Sequence, residues 1–150
     1  MSQSLSKILL HAIFSTKNRT KSILPDFKPD LYGYIASICR TYKSNVFKIG
    51  GTKDHIHIAF TLPRTISVAN LLEEIKKSTS KWIKTKNSKF KSFSWQAGYA
   101  VFSLGQSQLD ILVKYIGNQK NHHKKKTFQE EVVEFLKKYD LEYDEQFLWD

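Results

Sequence analysis

The sequence predicts an α+β fold on the split βαβ plan: a mostly antiparallel sheet with two helices on one face, followed by a further helix. Three observations carry this expectation. Residues His55-Ile56-His57-Ile58-Ala59-Phe60 alternate with period two, as in a strand whose Ile56, Ile58, Phe60 and Leu62 face a core. Apolar residues recur at helical spacing at Leu31, Tyr34, Ile35 and Ile38, and again at Val68, Leu71, Leu72, Ile75, Thr79, Trp82 and Ile83. The segments follow one another as strand, helix, strand, strand, helix, strand, which is the order of a ferredoxin-like fold.

Each element has its own signal. Ser6 to Phe14 is apolar and β-compatible, a first strand in which His11 reads as a core or flanking histidine. A basic polar loop, residues 15–21, follows. A first helix runs from Asp26 or Pro29 to about Tyr42, with Leu31, Tyr34, Ile35 and Ile38 as its buried stripe. Val46 to Ile49 is a second strand ending in Gly50-Gly51, and the short Gly-Gly-Thr-Lys-Asp link to the histidine strand predicts an antiparallel hairpin. Pro63-Arg64 stops that strand, and Ser67 is the N-cap of a second helix whose Lys76, Lys77, Lys81 and Lys84 load its other faces. After a basic loop from Lys84 to Lys91, Tyr99 to Leu104 reads as the last strand. Gln106 to His122 then reads as one continuous helix with Leu109, Leu112, Val113 and Ile116 as its seam.

The 150 residues fit one domain, with a basic body over 1–126 and an acidic helical segment over 127–150. The body has 22 Lys/Arg against 6 Asp/Glu and the last segment 2 against 8, so that a net charge of +10 conceals +16 and −6. A basic body rich in aromatic residues points to a polyanion, with nucleic acid first, because phosphates supply affinity and aromatic faces stack on unpaired bases. A solvated lysine surface is the competing explanation. The single cysteine, Cys39, excludes an internal disulfide and a multi-thiolate zinc site, and fits a reducing, cytoplasmic setting. The apolar run from Ile8 to Phe14 is broken by His11 and is too short for a membrane span.

On the histidine strand, His55 and His57 share a face and can offer two imidazoles to one divalent metal from a rigid support. A strand with two partly exposed polar histidines is the plainer alternative. On the predicted last helix, Tyr115 and Gln119 lie one turn apart, rotated away from the apolar seam.

Taken together, Asp54-His55-Ile56-His57-Ile58, the segment Trp95-Gln96-Ala97-Gly98-Tyr99-Ala100-Val101-Phe102-Ser103, and Tyr115-Ile116-Gly117-Asn118-Gln119 with His122-His123 resemble the HUH single-tyrosine transposases. These are the two-hundred-like insertion-sequence family and its relatives associated with repetitive extragenic palindromes. The resemblance covers almost the whole chain. It implies that His55, His57 and Gln119 hold a divalent metal, Mg²⁺ or Mn²⁺, and that Tyr115, on its helix after the sheet, is the nucleophile. It further implies cleavage and rejoining of single-stranded hairpin DNA through a 5′-phosphotyrosine, in a homodimer whose sites combine two subunits. Lys17, Arg19, Lys77 and Lys81 are candidate phosphate contacts, Trp95 a candidate stacking platform and His122 a candidate DNA contact. The rival readings are a non-catalytic ferredoxin-like nucleic-acid binder, a domesticated HUH nickase and, more remotely, a hydrolase of small phosphates.

Overall fold

The computed structural model describes residues 2–150. Four strands, β1 (Leu9–Ser15), β2 (Val46–Gly51), β3 (His55–Thr61) and β4 (Ala100–Leu104), form one sheet in the order β2-β3-β1-β4, every pair antiparallel. Helices α1 (Lys28–Thr41) and α2 (Val68–Lys84) cover one face. Strand, helix, strand, strand, helix, strand is therefore the observed order, as the sequence pattern requires.

The central pair sets the positions of the site. β1 and β3 are in register with Ile13 opposite His57 and Ser15 opposite His55. The alternation of β3 sends Ile56, Ile58 and Phe60 into the main core, where they meet Leu10, Ala12 and Phe14 of β1 and Leu31, Ile35, Leu71, Leu72 and Ile75 of the helices. The opposite face of the same strands carries His11, Ile13, His55 and His57. It is also covered, because both histidines of β3 are wholly buried. Helix α2 begins as its sequence predicts, with Ser67 Oγ accepting from the Asn70 backbone N–H at 3.1 Å, a cap of about 1 kcal/mol.

The cover on the histidine face comes from the chain after β4. Helix α3 (Leu109–Gly117) packs across β2 and β3. The chain then breaks at Asn118 and resumes as α4 (Gln119–His122), followed by α5 (Phe128–Lys138) and α6 (Glu145–Leu148). The expected single helix from Gln106 to His122 is thus a short 3₁₀ turn and two helices. Gly117 and Asn118 account for the break, since glycine loses most entropy in a helix and asparagine competes for backbone hydrogen bonds. A second, smaller core joins Ile13 and Phe102 of the sheet to Phe128, Val132 and Leu136 of α5. A Thr127–Glu130 capping box starts α5. The acidic segment, which the sequence leaves free to pack on the body or on a partner, packs on its own body.

Gly50 of β2 is required by this packing. A Cβ there would lie 2.5 Å from the Ile116 carbonyl oxygen of α3.

Candidate metal and nucleophile site

Two strands and three helices bring polar side chains together on the covered face. His55 and His57 project from β3, His11 from β1, Tyr115 from α3, Gln119 and His122 from α4, and Glu131 from α5. His123 follows directly after α4. At the centre lies the Glu131 carboxylate, only 1% exposed. Its Oε1 faces His57 Nε2 at 3.0 Å and His123 Nε2 at 3.1 Å. Its Oε2 accepts from Gln119 Nε2 at 3.0 Å and from the Tyr115 hydroxyl. Gln119 Oε1 in turn stands 3.0 Å from His55 Nε2.

The orientation of each histidine ring follows from its second nitrogen. His55 Nδ1 lies 2.8 Å from Asp54 Oδ1, which also accepts from the Thr52 hydroxyl at 2.9 Å. A carboxylate at Nδ1 holds the proton on that nitrogen and leaves a lone pair at Nε2. That lone pair points at Gln119 Oε1, another acceptor, with Glu131 Oε1 3.5 Å away. Acceptors converging with too few protons repel one another unless a ring is protonated or a cation lies between them. Ligand atoms of His55, His57 and Glu131 lie within 4.8 Å of one another. Two imidazoles, an amide oxygen and a carboxylate are donors for a hard or borderline divalent ion, so the residues present fit such an ion.

Burial and charge shift the titrating groups in opposite directions. Burial lowers the His57 pKa, and hydrogen bonding to Glu131 only partly opposes it. Burial alone would raise the Glu131 carboxyl, but hydrogen bonds from His123, His57 and Tyr115 hold it far below the carboxylate range. Tyr115 is pushed far above the usual phenol value, first by burial and then by the neighbouring Glu131 charge. In this arrangement the proton stays on the phenol.

The structure therefore gathers His55, His57, Gln119 and Tyr115 within one chain, and the Tyr115 ring packs edge-on against His57 of the same chain at 5.9 Å. His122 stacks on the Tyr115 ring at 4.4 Å, so it covers the phenol. Glu131 escapes the sequence reading, although a carboxylate between Phe128 and Phe135 on the apolar stripe of a helix was the available signal. The other candidates lie elsewhere. Trp95 is buried in the main core and donates its indole N–H to Thr79 Oγ1 at 2.9 Å, so its ring fills the interior and is no stacking platform for a base. Lys77 and Lys81 are exposed on α2, across the sheet from the histidines. Lys17 is exposed, while Arg19 donates to the Trp149 carbonyl at 3.3 Å. Among the described residues, no helix is long and apolar enough to cross a membrane.

Fold and site together define a small sheet-and-helix protein with a buried histidine pair and a tyrosine beside it. Residues 4–119 match the family described as IS200-like transposases, and the chain belongs to that family. Its structure is similar to a putative transposase from Deinococcus radiodurans (16% identity, 79% of this chain, 98% of that one, TM-score 0.61). It is also similar to a REP-associated tyrosine transposase bound to a REP hairpin (19% identity, 82% and 74%, TM-score 0.60). No curated protein matches the sequence. The family match ends at Gln119, so Glu131 lies outside it.

Proposed function

We propose that this transposase cleaves and rejoins single-stranded hairpin DNA in the cytoplasm, with Tyr115 as nucleophile and His55, His57 and Gln119 as ligands for Mg²⁺ or Mn²⁺. The observation that carries the proposal is the convergence of His57 Nε2, Gln119 Nε2 and the Tyr115 hydroxyl on one carboxylate, with Gln119 Oε1 turned to His55 Nε2 beside it. Glu131 Oε1 would join the ligand set, while Oε2 accepts the hydrogen bond of the Tyr115 hydroxyl.

When bound, a divalent cation withdraws charge from the scissile phosphate and stabilises an oxyanion beside it. Tyr115 supplies the attacking oxygen. Its bond to phosphorus forms as the bond from phosphorus to the 3′ oxygen breaks; the phenol gives up its proton in the attack and the departing 3′ oxygen takes one up, leaving a 5′-phosphotyrosine and a free 3′-hydroxyl. The reverse attack by a 3′-hydroxyl restores the diester and releases Tyr115, so no nucleotide cofactor is consumed. His122 stacks on the Tyr115 ring from α4, and the histidine pair is fixed by the rigid β1–β3 ladder. Lys17 and the exposed lysines of α2 offer phosphate contacts away from the cluster.

The test incubates the protein with Mg²⁺ or Mn²⁺ and labelled single-stranded hairpin DNA, then looks for a protein–DNA band that survives denaturation. The expected result is a band for the wild type that is absent in Tyr115→Phe and His57→Ala, with DNA binding kept. Binding without a band in any form would support a non-catalytic binder. A band that persists in Tyr115→Phe would remove Tyr115 from its role.

A further inference from the structure

His11 lies outside the ligand set, yet it touches it. It is 3% exposed on β1, and its Nε2 stands 2.8 Å from His57 Nδ1, with the two rings stacked at 5.0 Å and 23°. Phe135 packs edge-on against the His11 ring at 5.1 Å and fixes its position from α5. Neither composition nor the metal-ligand motif gives this residue a task.

Its task follows from counting protons. A neutral imidazole carries one N–H, and a nitrogen that binds a cation must offer a lone pair. The nitrogen of His57 that faces the ligand cluster is Nε2. Its proton must therefore sit on Nδ1 whenever Nε2 acts as a ligand. A buried N–H without an acceptor is costly, and the partner of Nδ1 is His11 Nε2. His55 has a carboxylate, Asp54, in the equivalent place. His57 has a neutral ring instead.

We propose that His11 is a positioning residue for the metal ligand His57: it accepts the His57 Nδ1 proton and so keeps the Nε2 lone pair directed at the cation. This rests on the reading of His55 and His57 as ligands. With Nε2 of His57 unligated and hydrogen-bonded to Glu131, the shared proton sits on His11 Nε2 and is donated to His57 Nδ1. With Nε2 ligated, the proton sits on His57 Nδ1 and His11 carries its own proton on Nδ1. Each ring keeps one proton in both states, so the change is a paired tautomer shift with no net charge.

The test titrates Mn²⁺ alone into the full-length wild type, His11→Phe and His11→Gln, with thermal melts recording the fold of each. Phenylalanine keeps the ring volume and removes the acceptor, whereas glutamine keeps an acceptor oxygen near the position of Nε2. The expected result is affinity weakened about 10- to 100-fold in His11→Phe and restored in His11→Gln. In the wild type loaded with Mg²⁺, long-range ¹⁵N–¹H spectra of the histidine rings should show His57 protonated at Nδ1, a readout that does not depend on any variant folding. Equal Mn²⁺ affinity in a folded His11→Phe, or His57 protonated at Nε2 in the Mg²⁺-loaded form, overturns the proposal alone. No Mn²⁺ binding by the wild type overturns the ligand reading beneath it.

Discussion

Replacing Glu131 by alanine tests whether the cluster is held together by one carboxylate. Four groups turn to it: His57, His123, Gln119 and the Tyr115 hydroxyl. Truncation leaves them facing a void that is buried and partly polar. Removing one partner from a buried charged network costs about 3–5 kcal/mol, a large share of the roughly 5–15 kcal/mol typical of a whole domain. At about 2–4 °C per kcal/mol for a chain of this size, the melting temperature should fall by roughly 6–20 °C at pH 7. The sign with pH is fixed as well. The Glu131 carboxyl is depressed in the folded state, so its contribution is complete above its ordinary value of 4.5 and is lost as the pH falls below it. His11 and His57 are depressed from 6.5, chiefly by burial, so the unfolded chain gains protons first and the wild type begins to weaken below that value. The gap between wild type and Glu131→Ala should be widest near neutrality and should narrow below about pH 4.5. Melts followed by far-ultraviolet circular dichroism across pH 3–8 measure both. A melting temperature within about 2 °C of wild type at pH 7, which corresponds to no more than ~1 kcal/mol, would refute the carboxylate's central place.

Three further expectations follow from single contacts. Gly50→Ala places a methyl against the Ile116 carbonyl and should destabilise the chain by about 1–3 kcal/mol in denaturant unfolding by pushing α3 off β2; an unchanged midpoint would mean that α3 does not sit there. Trp95→Phe removes the hydrogen bond to Thr79 and part of the core, so it should lower the unfolding midpoint while the folded variant binds single-stranded DNA as the wild type does; lost affinity at unchanged stability would return Trp95 to the DNA-contact role. Mixing Tyr115→Phe with His57→Ala chains distinguishes a site completed within one chain from one shared by two subunits. The Tyr115–His57 contact within this chain predicts no recovered covalent band, and recovery would establish exchange of the tyrosine helix in a homodimer.

What the sequence made legible and what it hid divide along a physical line. The order of the six sheet-and-helix elements follows from period-two and helical patterning, which report one-sided burial directly. Ser67 caps α2 because the chemistry of a cap is local. The break at Gly117-Asn118 is also written in the chain, as two weak helix formers that directly follow an apolar seam, Leu109 to Ile116, only about two turns long. Glu131 and His11 were concealed for a different reason. Each belongs to an apolar face, His11 in a buried strand and Glu131 between Phe128 and Phe135, and each meets His57 only in the fold, across 46 and 74 residues that no local pattern connects. Trp95 shows the converse error: an aromatic in a basic chain suggests stacking on bases, yet Phe14, Phe93 and Thr79 enclose it. A polar residue embedded in an apolar stripe is therefore the signal most worth reading as functional in a chain like this one. Its burial without partners would cost several kcal/mol, and the partners that make it tolerable are themselves the site.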